Sequence, residues 1–139
     1  MRRLRGAAAI ELAILLIPIV FLVYGMTELG RGLYYYNRVV AATRDGARYL
    51  SMQARGHGEA QARCLVVHGS PSCAGERLVP QLDTDMVHIA YEPGVETGHG
   101  ALDMVSVSVE GLPYTSLVPL AFESLTFGPI TTRMRQAAT

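Results

Sequence analysis

The sequence carries no excess of charge and contains no lysine. Twelve arginines are balanced by twelve aspartates and glutamates, so the formal net charge at pH 7 is zero. A balanced charge without a basic patch excludes the electrostatic pattern of most nucleic-acid-binding proteins, and we expect no nucleic-acid partner. We interpret the missing lysine as a result of genomic base composition, without functional meaning.

The sequence also lacks the motifs of common enzymes. It contains no nucleophile elbow, no phosphate-binding glycine loop and no metal-binding helix motif. Its histidines show no paired spacing: they are His57, His68, His88 and His99. The carboxylates of the DTD segment, Asp83 and Asp85, are typical of a loop. We therefore predict no enzymatic activity, no cofactor and no metal.

The hydrophobic content is high, at 50%, and the excess lies mostly in a long apolar run near the N-terminus. Residues 7–26 form a run long enough, at about 1.5 Å per helical residue, to cross a hydrocarbon core of roughly 30 Å. Arginines precede the run, whereas Glu28 and Arg31 follow it, so the positive-inside rule predicts a cytoplasmic N-terminus. The predicted organisation is a basic leader over 1–6, a transmembrane helix over 7–27 and a periplasmic domain over 28–139.

A secretory signal peptide would also begin with basic residues and an apolar run. Here the small residues GAAA precede the run, and no A-x-A-like cleavage site follows it, so we expect the run to remain in the protein. Pro18 removes the hydrogen bond to the carbonyl of Ile14 and predicts a bent or locally unwound helix.

Glu11 lies just inside the run, where an ionised carboxylate at mid-bilayer costs about 2.5 to 3.5 kcal/mol. Either its side chain reaches the cytoplasmic headgroups or it has a charged partner. Arg5 is six residues away on a different helix face. Cleavage after Gly6 would give Ala7 a charged amine four residues before Glu11, on the same face, and this amine could pair with Glu11 of its own or a neighbouring subunit.

A basic leader ending in glycine, then four residues, a glutamate and a long apolar helix resembles the prepilin signal of type IV pilins and pseudopilins. Further motifs resemble, more specifically, the TadE-like family of the tight adherence (Tad) pilus system. They are E-x-G-R at 28–31, the tyrosines at 34–36 and A-x-R-x-G-A-R-Y at 42–49. The resemblance covers roughly the first fifty residues. It implies processing between Gly6 and Ala7 by a prepilin peptidase, with Glu11 guiding assembly.

The resemblance also implies a structural role, as a minor pilin or pseudopilin that assembles or initiates a Tad-type (type IVc) pilus at the bacterial inner membrane. The implied partners are membrane lipid, the prepilin peptidase, other pilin subunits and the assembly platform. Ala7 stands where the best-known major pilins have phenylalanine, and the chain exceeds the short major pilins of this system in length, which favours a minor role. The alternative is an uncleaved single-pass anchor that presents a periplasmic binding module to an envelope or secretion complex.

Beyond the run, apolar residues recur at the spacing of a helical stripe. The stripe consists of Leu29, Leu33, Tyr36, Val40, Thr43, Ala47 and Leu50. We predict one helix over about 7–52 whose outer part, 28–54, packs on a sheet. The glycines at 25, 30, 32 and 46 predict either local bends or close approach of membrane helices.

Residues 55–85 are predicted as helix and loop. Glycines end the long helix, residues 59–67 resume a helix, and GSPS forms a turn that Cys64 and Cys73 flank. Outside the cytoplasm, a disulfide between them would stabilise the fold by about 3 kcal/mol. Zinc bound with His68 is the alternative, but structural zinc prefers four ligands.

Residues 86–134 are predicted as a small sheet. Valines and other apolar residues alternate with polar ones at 87–91 and 105–109, which predicts two half-buried strands joined by the link EPGVETGHGALD. A third strand is predicted around Leu125 and Phe127, resuming over 130–134, and LPYTSLVPLAFE is predicted as a packed loop or helical turn. The fold class is α+β, pseudopilin-like, with a long helix on about three antiparallel strands.

Overall fold

The computed structural model describes residues 3–98, 100–117 and 125–137, with side chains from Gly6 onward. It contains two helices, α1 (Arg3–Ser51) and α2 (Glu59–His68). The strands are β1 (Val87–Glu96), β2 (Ala101–Val109), β3 (Pro113–Tyr114), β4 (Leu125–Thr126) and β5 (Ile130–Arg135). The chain divides into two compact units, residues 1–33 and 34–139. The predicted α+β class, a long helix with an antiparallel three-stranded sheet, is confirmed.

The helices follow the sequence prediction closely. Helix α1 has 49 residues and contains Pro18 without ending there. After its last residue the chain makes hydrogen bonds between residues three apart: the backbone N–H of Gln53 donates to the carbonyl of Leu50. Helix α2 lies between Gly58 and Gly69, whose φ values of 77° and 71° favour glycine.

Strands β1, β2 and β5 form an antiparallel sheet with β2 in the centre. Ile89 pairs with Val107, and Val107 pairs with Thr132. The link between β1 and β2 is shorter than predicted, because β1 continues to Glu96 through an irregularity after Glu92. Gly94 lies in this bulge with φ 66°, and its N–H donates to Oδ1 of Asp103 at 2.9 Å.

Strands lie at both places predicted for the third strand, Leu125–Thr126 and Ile130–Arg135, and the second of them, β5, completes the three-stranded sheet. Leu125–Thr126 pairs instead with Pro113–Tyr114 in a separate two-stranded ladder, which places a strand inside the segment predicted as loop or turn. The rest of that segment, 118–123, lies outside the described residues. Gly128 and Pro129 separate the two ladders, because Pro129 has no N–H to donate.

The core of the second unit joins both helices to one face of the sheet. Fully buried side chains from α1 include Val39, Ala42, Thr43, Ala47 and Leu50. The sheet contributes Val87, Val105, Val107, Val109 and Ile130, and α2 contributes Ala62, Val66 and Val67. Thr43 also joins its hydroxyl to that of Thr132 on β5 at 3.0 Å.

The predicted apolar stripe is wrong in its first half. Leu29, Leu33 and Tyr36 are exposed, by 65%, 53% and 43%. Periodicity alone does not reveal at which residue of a helix the contact with its packing partner begins. In α1, Val39 is the first apolar side chain that is fully buried. The buried face of the outer part of α1 includes Val39, Ala42 and Gly46, which were not in the predicted stripe.

Candidate functional site on the N-terminal helix

The residues predicted for processing and assembly lie together in the first turns of α1. Gly6, Ala7 and Glu11 are all helical and exposed. Glu11 forms no ion pair with any side chain in the described part of the chain, where side chains begin at Gly6.

The apolar run that follows has the length and composition of a membrane span. Among the described residues, one helix meets this test, with a mean hydropathy of 2.6 over its most apolar window. None of that window is buried in the protein. Large apolar side chains are exposed along the whole run, from Ile10 to Met26. A surface of this kind requires an apolar surrounding.

Glu28 and Arg31 of the E-x-G-R motif form an ion pair. The Arg31 Nη2 atom lies 2.9 Å from Oε2 of Glu28, and the Glu28 side chain is only 5% exposed. An (i, i+3) pair across one helical turn neutralises both charges where the apolar run ends. The sequence interpretation used these residues as topology markers and missed the pair, although their spacing could have indicated it.

The tyrosine segment of α1 belongs to an aromatic cluster, which consists of Tyr34, Tyr35, Tyr36, Tyr114 and Phe127. The ring centroids of Tyr35 and Tyr114 are 6.4 Å apart, and those of Tyr36 and Phe127 are 6.2 Å apart. Tyr114 and Phe127 contact each other edge to face at 5.8 Å. Packing of these tyrosine rings therefore holds the β3–β4 ladder against α1.

The A-x-R-x-G-A-R-Y segment provides a close contact between the two helices. A Cβ atom on Gly46 would lie 2.7 Å from Cγ2 of Val66 in α2, so only glycine fits. Ala42 and Ala47 are buried on the same helix, whereas Arg44 is exposed. Gly46 is thus a packing residue within the outer domain, neither a bend nor a contact between membrane helices.

Cys64 and Cys73 form a disulfide with their Cα atoms 4.7 Å apart. His68 directs its Nδ1 atom to the carbonyl oxygen of Gly75 at 3.0 Å. In the described ranges, no cluster of three or more histidines, cysteines and carboxylates is placed to hold a metal ion.

Two titratable groups of the outer domain are perturbed. The N–H of Thr84, and then the Arg77 guanidinium 3.2 Å away, lower the pKa of Asp83, which caps the turn Thr84–Met86. Burial raises the pKa of Tyr91, whose hydroxyl has no hydrogen-bond partner among the described residues.

A shallow cavity of about 380 Å³ lies at the end of the sheet. Its polar lining consists of Arg55, Asp103, Arg135 and Gln136. The side-chain amide of Gln136 donates to the carbonyl of Gln53, and the Arg55 guanidinium lies 5.6 Å from the ring centroid of Tyr91. The first contact joins the C-terminal segment to the loop after α1, and the second joins that loop to β1.

Comparison with known proteins finds a family similarity along this helix. Residues 6–48 match the family model of TadE-like proteins. The resemblance inferred from the sequence motifs is thereby confirmed over these residues, and the TadE-like segment contains Gly6, Glu11, the apolar run and the ion pair. No curated protein and no solved structure matches the chain. The similarity to TadE-like proteins over these residues and the long apolar helix suggest a membrane-anchored, Tad pilus-associated protein.

Proposed function

We propose that this protein is a TadE-like minor pilin or pseudopilin that a prepilin peptidase cleaves after Gly6 and that acts in assembling or initiating a Tad-type pilus. The main support is the family match, which starts at Gly6 and continues along α1 to residue 48. Helix α1 crosses the inner membrane with its N-terminus in the cytoplasm, and residues after about 28 lie on the periplasmic side.

The proposed mechanism is lateral association of apolar helices, with Glu11 setting their register. Cleavage gives Ala7 a charged amine, and Glu11 is exposed without an ion-pair partner in the described part of the chain. An ion pair between this amine and Glu11 of a neighbouring subunit would offset the cost of a carboxylate in lipid. The prepilin peptidase, other pilin subunits and the assembly platform are the proposed partners.

Processing is tested by the N-terminal mass of the protein purified from membranes of cells with and without a prepilin peptidase. We expect a chain that begins at Ala7 only when the peptidase is present. A chain that begins at Met1 in both strains would contradict the proposal and would favour a permanent anchor carrying a periplasmic binding module. Gly6→Leu should block the cleavage, whereas Gly25→Leu, also in open space on α1, should leave it intact.

The role of Glu11 is tested separately by crosslinking between subunits in membranes. We expect Glu11→Gln to reduce helix-to-helix crosslinking and pilus formation, because glutamine cannot form the ion pair. Glu110→Gln, at an exposed position of the outer domain, is the matched control and should have no effect. Unchanged crosslinking in Glu11→Gln would exclude the electrostatic part of the mechanism and leave the processing proposal intact.

A further inference from the structure

The three-stranded sheet has two edges, and the strand at one of them is blocked against further pairing. Strand β1 contains Pro93, and its register with β2 shifts between Glu92 and Val95. A proline has no N–H to donate, and a bulge twists an edge away from a partner strand. The N–H of Val87, at the start of β1, already donates to the carbonyl of Thr84. Strand β1 therefore offers no continuous edge to another strand.

Strand β5 at the other edge has neither of these devices. Its six residues, Ile130–Arg135, contain no proline and pair with β2 without a shift of register. Among the described residues, β2 is the only strand that pairs with β5. A regular strand at an edge can accept a further strand through main-chain hydrogen bonds.

The register shows which backbone groups of β5 are left for such a strand. The N–H of Gln136 donates to the carbonyl of Asp103, so this pair is hydrogen-bonded. Hydrogen-bonded and non-hydrogen-bonded pairs alternate along an antiparallel ladder. The N–H and C=O groups of Thr131, Arg133 and Arg135 therefore point away from β2, and no backbone hydrogen bond between described residues uses them. We call these three residues the β5 edge.

Contacts with α1 hold β5 in place. The hydroxyl of Thr132 lies 3.0 Å from that of Thr43, and the N–H of Ala137, just after the strand, donates to the carbonyl of Ser51. A strand that is already fixed in its extended conformation loses little conformational entropy when it pairs with another segment. The β5 edge is thus preorganised for binding.

The β5 edge also carries two positive charges on one face of the sheet. Arg133 and Arg135 are exposed, and their side chains lie on the same face because they are two residues apart in a strand. Arg133 contacts Glu92 of β1 at 3.3 Å. Arg135 forms no ion pair with the described residues, so its charge is available to a carboxylate on an added strand.

We propose that the β5 edge binds an extended, acidic segment of a partner protein, which adds a fourth strand to the sheet. Main-chain hydrogen bonds to the edge supply affinity, and a carboxylate opposite Arg135 supplies specificity. A second copy of β5 fits less well, because a symmetric antiparallel pair centred on Arg133 places arginine opposite arginine, and like charges in that position destabilise a sheet. The inference goes beyond the proposed function and depends on neither cleavage nor the membrane.

The test measures amide hydrogen exchange by nuclear magnetic resonance in the isotopically labelled full chain, held in detergent micelles. The probe is a capped heptapeptide in which glutamate alternates with valine, and the control peptide has lysine in place of glutamate. We expect the acidic peptide to slow exchange at the N–H groups of Thr131, Arg133 and Arg135 by about tenfold or more, because each becomes hydrogen-bonded. The lysine peptide should leave these rates unchanged.

Variants separate the backbone contribution from the charge. Arg133→Pro removes an outer N–H but no hydrogen bond to β2, so it should abolish binding of the acidic peptide while slow exchange in β2 shows that the sheet remains folded. Arg135→Gln should weaken the binding by up to about fivefold, through loss of a cross-strand ion pair. Arg48→Gln, exposed on α1, is the matched control and should leave the affinity unchanged.

Four results would overturn the inference. They are unchanged exchange at the β5 edge with millimolar acidic peptide, equal binding of both peptides, and either kind of protection of this edge without any peptide. Protection that grows with protein concentration would show that a second copy occupies the edge. Protection that is independent of concentration would show that the chain covers the edge itself.

Discussion

The two halves of α1 use apolar side chains in opposite ways. Between Ile10 and Met26, the large apolar side chains are 51–67% exposed, whereas Val39 and Leu50 are at most 1% exposed. The first half exposes apolar groups throughout and requires an apolar solvent, while the second half buries one face in a protein core. A single helix therefore lies in an apolar solvent along its first half and in a protein core along its second half. Composition alone does not show at which residue the change occurs.

The same substitution in both halves gives the sharpest test of this difference. Leu50→Ala should destabilise the outer domain by about 3 kcal/mol, because it leaves a cavity in a packed core. Leu16→Ala should change its free energy of unfolding by less than about 0.5 kcal/mol, because Leu16 contacts no core. Urea unfolding in detergent, followed by the near-ultraviolet circular dichroism of the tyrosines, measures both. Equal effects would remove the distinction between the two halves.

The disulfide should stabilise only the outer domain. Replacing Cys64 and Cys73 together by serine should lower its free energy of unfolding by about 2.5 kcal/mol, since the bridge closes a loop of about ten residues in the unfolded chain. A mass two units higher in the purified wild-type protein, indicating free thiols, would contradict the bridge itself.

Glycines in the two halves should respond differently to a large side chain. Gly46→Leu should cost about 2 kcal/mol, because an added Cβ already meets Val66 at 2.7 Å. Gly30→Leu should leave the domain at least as stable, because open space surrounds Gly30 and leucine has the higher helix propensity. Thermal unfolding of the two variants compares them directly, and a stable Gly46→Leu protein would show that α1 and α2 do not pack as described.

The smallest expected effect concerns pH. Asp83 has a lowered pKa in the folded domain because Thr84 N–H and Arg77 favour its charged form, compared with an ordinary value of 3.8. Its contribution to stability is therefore complete above the ordinary value and is lost as the pH falls through the folded pKa. Asp83→Asn should reduce the stability difference between neutral and acidic pH, which unfolding experiments at the two pH values measure. Identical acid sensitivity in this variant and the wild type would contradict this role.

Much of the fold could be predicted because it depends on local patterns. Alternation at Val105, Val107 and Val109 predicts β2 correctly, and glycines mark both ends of α2. The pairing of Leu125 with Tyr114 could not be predicted, because strand pairing is decided by distant residues and a two-residue ladder leaves no periodicity to detect.

The candidate site also has a part that the sequence could predict and a part that it could not. Gly6, Ala7 and Glu11 were selected from their spacing, and the family match covers them, but their roles remain predictions that only processing and assembly experiments test. The burial of Glu28 could not be read from the sequence, because burial depends on which parts of the fold lie over a side chain.

The hydroxyl pair of Thr43 and Thr132 has a mechanical consequence. Any sliding of the outer part of α1 along the sheet, or any rotation about its own axis, separates these two hydroxyls and breaks the contact between them. The same movement shifts Gly46 away from Val66, at a place where even a Cβ atom would lie 2.7 Å from Cγ2 of Val66. A tensile load along α1 is therefore resisted in shear by many contacts that must break together, so the helix and sheet of the outer domain bear force as one solid body.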